Sequence, residues 1–405
     1  MTTTIIIILL SIGYIIFTID KKQNNFPVPF ILLLTGIGLS FIPYFSGVHV
    51  TEHIIYNIFL PGLLFTSAYQ FSAKALRKNA RVIATLSTIG LIATAVLLGM
   101  VTYLIGGAYL NISLVGALLI ASILTPTDPV SVVSILKQST DDASTADVVE
   151  GESMINDGTS VVLFSVLSGM YVNGTAFELS KFLGDFFYVS IGGIVLGIII
   201  GWLFSKLVHI THHKDYQVML SIIIAYGGFH LAEHFGFSGV LATVTSGIML
   251  SWEFNHTNKE DHYREALAGF WNVVEPTLLT LVFLLIGIEA TEYLTHGHWV
   301  MASIVFLASI IIRFIIVSGT MQLFRGWRHI VDWKKALLIS WSGIRGTMSV
   351  FLLLSLSTMA SRSTGDKLLS LAFSVVVLSL VIQSIGIYPL SKWLASAEQK
   401  RKHPG

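Results

Sequence analysis

Four ionisable residues stand inside apolar runs: Asp128, Glu152, Asp157 and Arg345. At the centre of a bilayer a charge costs about 2.5–3.5 kcal/mol even on the most lenient scale, so each needs a reason to be there. Asp128 lies in ILTPTDPVSVV (123–133), between Pro126 and Pro129. Proline removes a backbone donor and clashes with a preceding carbonyl, so a helix is expected to break at Thr125–Pro129. The freed carbonyls and amides, Thr127 among them, must then line a protein cavity, because lipid cannot satisfy them. A plain kink is the bland alternative, but a kink does not need two prolines around an aspartate. Glu152 and Asp157 lie in VVEGESMINDGTSVV (148–162). At helical spacing Ser153 stacks on Asp157, and Glu152 stacks on Asn156. One face then offers a hydroxyl, a carboxamide and two carboxylates, oxygens that suit a hard cation such as Na+. A helix end would account for Glu152, since Asp147 and Glu150 are close by, but Asp157 is more than a turn further into apolar sequence. Arg345 lies in ISWSGIRGTMSVF (339–351), where Gly343 and Gly346 loosen the chain. An unpaired buried arginine is very costly, so it should have an acid partner, either Asp128 or Glu152.

The elements that hold these residues follow from composition. Of 405 residues 54% are hydrophobic and only 12% are charged, about half the charge of an ordinary soluble protein. Mean hydropathy is +0.77, so lipid must be the solvent for much of the chain. A formal net charge of +1 gives no basic field for nucleic acid. With no cysteine there is no disulfide, thiolate metal site or thiol nucleophile. No HExxH, GxSxG or glycine-rich phosphate loop occurs, which argues against an enzyme, and no cofactor is called for. The chain is expected to be an all-α polytopic membrane protein, one transmembrane domain over residues 1–405 with no soluble domain.

A span needs about 20 mostly apolar residues. Thirteen segments qualify, near 4–19, 26–44, 50–69, 82–106, 112–136, 147–172, 182–208, 216–234, 238–252, 266–294, 299–324, 335–360 and 368–395. The ninth is short and the third contains Pro61. Lys21 and Lys22 follow the first span, the reverse of a cleavable signal peptide. With the N-terminus outside, 19 of the 24 Lys and Arg residues fall at the inner side, as the positive-inside rule requires for a cell-membrane protein with a cytoplasmic C-terminus. Lys181, Arg362 and Lys367 fall outside, and Arg313 and Arg345 lie within spans. The longest polar stretch, 253–265, is expected as a loop, and about ten residues should follow the last span. The Pro126–Pro129 break falls in the fifth span and the glycine-loosened stretch in the twelfth. An offset of seven inverts the second copy, as in transporters with inverted repeats and paired interrupted helices. Gly193, Gly197 and Gly201 suit close helix packing. His209, His212, His213 and Lys214 suit a solvated cytoplasmic face better than a metal site.

At TPTDP, ESMINDG and SGIRG, in that order, the sequence resembles the cation:proton antiporter-1 family, which includes bacterial and archaeal sodium/proton antiporters related to animal sodium/proton exchangers. GGFHLAEHFGFSGVLATVTSGIML (227–250) and LVFLLIGIE (281–289) also read like family segments. The resemblance implies a homodimer of thirteen-span protomers with two crossed, interrupted helices. Transport helices would lie around 112–172 and 335–395, and the other helices would form scaffold and dimer layers. It implies exchange of a monovalent cation, Na+ or alternatively Li+ or K+, for H+, in the service of pH homeostasis. Asp157 is the implied ion-binding carboxylate, with Asn156 beside it, Ser153 helping to hold the ion, and Thr127 and Asp128 at the unwound helix. Thus Asp157, Ser153, Thr127 and Asp128 would touch the transported cation, and Glu152 with Arg345 would form a buried structural ion pair. The Asn–Asp dipeptide marks electroneutral, one-for-one members. One departure stands out: some archaeal members read LLFEGA on the third span, whereas this chain reads LLFTSA with Thr66. A cation channel using the same oxygens is the alternative; a lone buried acid binds its ion too tightly for that, since channels need several weak sites.

Overall fold

Apolar segments in lipid must satisfy every backbone group internally, and helix stands at each of the segments expected to span. The computed structural model describes residues 3–402 except 20–27, 46–47, 49–50, 129–142, 176, 209–212, 257–260, 295–297, 325, 328–332 and 360–364. The principal helices are α1 (Thr3–Ile19), α2 (Val28–Ser40), α3 (Leu60–Gln70), α4 (Ala73–Thr85), α5 (Leu91–Leu110), α6 (Leu114–Ile123), α7 (Ala143–Val172) and α8 (Leu179–Val208). They continue with α9 (Lys214–Ile222), α10 (Gly228–His234), α11 (Gly239–His256), α12 (Asp261–Leu294), α13 (Trp299–Leu323), α14 (Trp333–Trp341), α15 (Thr347–Met359) and α16 (Gly365–Lys402). Among the described residues, five helices are long and apolar enough to cross a membrane by length and composition alone. No strand occurs among the described residues.

One expectation at the polar ends needs correction. The stretch 253–265 is not all loop: α11 continues through His256 and α12 starts at Asp261. The tail after the last span is helical as far as Lys402, because AEQKRK is built from good helix formers that extend a helix already nucleated in the membrane. Of the histidine cluster, residues 209–212 lie outside the described residues, and His213 packs its ring against Tyr216.

Three π-helical turns interrupt the longer helical runs, at Ile55–Phe59, Leu86–Gly90 and Ile223–Gly227. A π turn displaces the helical ladder and leaves a carbonyl in need of a donor. Each turn receives one from another helix. Tyr226 Oη donates to Ile58 O at 2.8 Å, Thr159 Oγ1 to Ser87 O at 2.8 Å, and Thr243 Oγ1 to Ala225 O at 3.2 Å. Pro61 follows directly, in the first turn of α3.

The glycine ladder of α8 meets α11 as expected. A methyl group on Gly193, Gly197 or Gly201 would strike Ser238, Ala242 or Met249. Gly36 of α2 and Gly287 of α12 likewise bring two backbones together. The helix that carries Glu152 and Asp157, α7, packs on α4, α6, α8 and α11.

Candidate functional site

The first break begins where α6 ends, at Ile123, and runs without helix through Asp128. Its continuation from Pro129 lies outside the described residues. The second break is Ser342–Gly346, between α14 and α15. The two breaks touch through their backbones: the Asp128 N–H donates to Ile344 O at 2.8 Å. Gly346 makes room for this contact, since a methyl group there would collide with the Asp128 side chain.

Side chains of α7 hold the first break. The Ser153 hydroxyl donates to the Thr127 carbonyl. Asn156 Nδ2 reaches Thr125 O and Glu152 Oε1, each at 3.2 Å, and Thr127 Oγ1 at 3.5 Å. Ser160 Oγ completes the set by donating to Asn156 Oδ1 at 3.0 Å. Carbonyls that the prolines removed from the helical ladder are thus capped by a hydroxyl and an amide, whose spacing of three positions puts both on one face. Asp157 adjoins this face, half-buried; its Oδ1 is buried and accepts no hydrogen bond. Asp128 and Glu152 are near enough to act electrostatically on it. The sequence-derived set Thr127, Asp128, Ser153, Asn156 and Asp157 is therefore gathered around one break.

The ion pair is different from the one expected. Glu152 pairs with Arg313 of α13, not with Arg345, in a forked contact at 2.9 Å (Nη2 to Oε2) and 3.3 Å (Nη1 to Oε1). Both side chains are buried, and a two-pronged arginine–carboxylate contact is the geometry that best offsets their desolvation. Arg345 turns instead to the first break, where Nη1 lies 3.5 Å from the carbonyls of Thr125 and Pro126. The reason is steric as well as electrostatic: the space that Gly343 leaves is filled by the Arg313 guanidinium. A glycine in SGIRG thus serves an arginine on a different helix. Thr125, Glu152, Asn156 and Arg313 together line a small recess.

Three further residues were given no role by the sequence reading. Arg313 is one, set in a long apolar helix with no proline beside it and no acid within a helical turn. Gln383 of α16 is another. Its Nε2 donates to Trp341 O at 2.8 Å, and its Oε1 accepts from the Ser379 hydroxyl. Ser379 Oγ in turn accepts from the Arg345 N–H at 3.0 Å, so α16 caps the second break. The third is Glu275, inside the tenth expected span beside Pro276; its depth in that span was the available signal. Among the described residues no group of histidines and acids is arranged to hold a resident metal ion.

Two interrupted helical segments in backbone contact, with buried carboxylates at their junction, are the architecture of a membrane transporter. The chain belongs to the sodium/hydrogen exchanger family, whose transmembrane description matches residues 6–393. This is a family of multi-pass membrane transporters and not of enzymes. The chain is 30% identical over 404 residues to the Na+/H+ antiporter NhaH of Halobacillus dabanensis, covering 96% of this chain and 97% of that protein. It is 30% identical over 359 residues to the Na+/H+ antiporter NhaP of Pseudomonas aeruginosa, covering 87% and 84%. Its fold resembles that of the sodium proton antiporter MjNhaP1 of Methanocaldococcus jannaschii with a TM-score of 0.79 at 19% identity, over 97% and 98% of the two chains.

Proposed function

We propose that the protein is a secondary antiporter that exchanges a monovalent cation, Na+ first of all, for H+ across the cell membrane. The observation that carries this reading is Asp157 itself, a carboxylate with one oxygen buried and unbonded, beside a helix break whose freed oxygens are held in place. One carboxylate binds a proton or a metal ion and not both, so binding of one displaces the other. The Thr127 carbonyl and the Ser153 hydroxyl supply neutral oxygens toward the cation, as a hard ion prefers. Asp128 offsets the dipoles of the half-helix ends at the break. Asn156 cannot titrate; it positions the break. Glu152 is committed to Arg313.

This leaves one exchangeable proton per cycle, and one-for-one exchange is electroneutral. The transport helices, around 112–172 and 335–395, move the site between the two faces by alternating access. The remaining helices form scaffold and a homodimer layer, in a single domain of thirteen crossings with the N-terminus outside. Li+ and K+ are the alternative cargo ions, and pH homeostasis is the physiological role that fits. The test is dequenching of a pH dye in proteoliposomes, with Na+, Li+ and K+ added in turn. Cation-dependent proton movement supports the reading, and its absence for all three rejects it. Repeating the measurement with the membrane potential clamped tests the stoichiometry. Each net charge moved couples to the potential by about 2.3 kcal/mol per 100 mV, so an exchange current that follows the clamp rejects electroneutrality.

A further inference from the structure

Helix α4 carries four cations and no acid: Lys74, Arg77, Lys78 and Arg81. Their spacing along a helix puts all four on one face, and all four are exposed. Like charges placed three and four residues apart repel one another. Nothing near them in the chain offsets this, because the sequence holds no acid between Glu52 and Asp128. Among the described residues none of the four side chains makes an ion pair or a hydrogen bond. The stripe is nonetheless held in place. Ser72 caps the helix, its hydroxyl accepting from the Ala75 N–H at 3.3 Å. The opposite face, with Ala75, Asn79, Val82 and Ile83, is buried, and Ile83 fills the space that Gly151 of α7 leaves.

Helix length puts this stripe at the edge of the bilayer. Through the π turn Leu86–Gly90, α4 runs on into α5, and Ala73–Gly107 is one candidate span of 35 residues. At 1.5 Å per residue that is about 50 Å, against a hydrocarbon core of about 30 Å. The apolar part beyond Arg81 suffices to cross the core, so the first turns of α4 stand at the depth of the lipid headgroups. Exposure continues beyond Arg81 at steps of three or four residues, partly or fully, through Ala84, Thr88, Ile92 and Val96 to Met100. One stripe is therefore basic at its start and faces lipid tails further on. Where such a stripe emerges from the tails it meets headgroups, and four unpaired cations there fit the phosphates of anionic lipids. We propose that the basic face of α4 is a docking surface for anionic phospholipid headgroups of the bilayer that the chain spans. Bound headgroups hold α4 against α7, on which its other face packs. This role stands apart from exchange at Asp157. Lys206 of α8 supplies the contrast: its ammonium already lies 3.9 Å from the centre of the Trp202 ring.

The experiment is a lipid titration of the purified protein in neutral detergent, with phosphatidylglycerol or phosphatidylcholine, in which native mass spectrometry counts the bound lipid. The wild type should retain phosphatidylglycerol in preference, and raised salt should weaken that preference. Each cation of the stripe removed, as in Lys78→Gln or Arg81→Gln, should weaken phosphatidylglycerol binding about fivefold. Replacing all four by glutamine, which keeps the helix propensity, should abolish the preference, and Arg77→Lys with Arg81→Lys should preserve it. Lys206→Gln should leave it unchanged. A wild type without preference for phosphatidylglycerol overturns the proposal; if it binds polyglutamate instead, the face belongs to an acidic protein partner. An equal loss in Lys206→Gln also overturns it, since net charge and not this face would then be what the lipid reads. If the fourfold variant does not fold, the single variants carry the test, and wild-type binding in both Lys78→Gln and Arg81→Gln overturns the proposal. The readout is bound lipid, so the outcome is independent of whether the protein exchanges Na+ for H+.

Discussion

At the first break Ser153 and Asn156 of α7 cap the carbonyls of Thr127 and Thr125; at the second, Ser379 and Gln383 of α16 cap the Arg345 N–H and the Trp341 carbonyl. In both, a hydroxyl and an amide on a helix later in the chain brace an interrupted segment. The two bracing helices are equipped very differently. Besides its caps α7 carries Glu152 and Asp157, whereas α16 has no charged residue between Lys367 and Lys392. The charge at the second break comes from Arg345, within the break itself. Bracing and ion chemistry are therefore separable: two breaks are held open by the same means, and one is charged with carboxylates.

Variants at the carboxylates should show the largest effects. Asp157→Asn is expected to abolish cation-dependent proton flux in a purified, monodisperse protein, measured with the pH dye. Asp128→Asn should be nearly as harmful, because the dipoles of the break lose their counter-charge. Wild-type flux in either variant removes that residue from the site.

Next come the two arginines. Breaking a buried pair leaves an uncompensated charge, at a cost of about 3–5 kcal/mol. Arg313→Gln and Glu152→Gln should therefore lower Tm and expression sharply. Arg345→Gln should lower Tm less, since that guanidinium has two contacts at 3.5 Å and no forked acid. Thermal melts of the three proteins check the order, and an Arg345→Gln protein less stable than Arg313→Gln would return Glu152 to Arg345.

The smallest effect is expected at the caps of the second break. Gln383→Ala removes a buried hydrogen-bond partner, about 1–3 kcal/mol, and should lower Tm with little change in the KM for Na+. Asn156→Ala, the counterpart at the first break, should change KM as well, because there the brace holds the oxygens proposed to face the ion. If the two variants behave alike, the separation of bracing from chemistry fails.

The parts of this comparison visible in the sequence are those marked by local chemistry. Two prolines around Asp128 announce the first break, and the spacing of Ser153, Asn156 and Asp157 puts them together before any tertiary contact is known. The partner of Glu152 was not legible. Arg313 lies 161 positions away, in a helix whose neighbours give no sign, and spacing along a chain cannot choose between two buried arginines. Gln383 was hidden for a related reason: one amide in an apolar helix is ambiguous until a Trp341 carbonyl is seen to need it. The helical ends within 253–265 were missed because polar composition was read as loop, where helix propensity and an existing helix decide.

The central claim is competition of proton and cation for Asp157, and the pH dependence of the KM for Na+ tests it most directly. Proteoliposomes would be assayed from low to saturating Na+ at a series of pH values. Competition at a single carboxylate predicts that on the acid side KM rises about tenfold for each pH unit, while the rate at saturating Na+ stays constant. A KM that does not change with pH, accompanied by a maximal rate that falls on acidification, would place the proton on a different group and contradict the account.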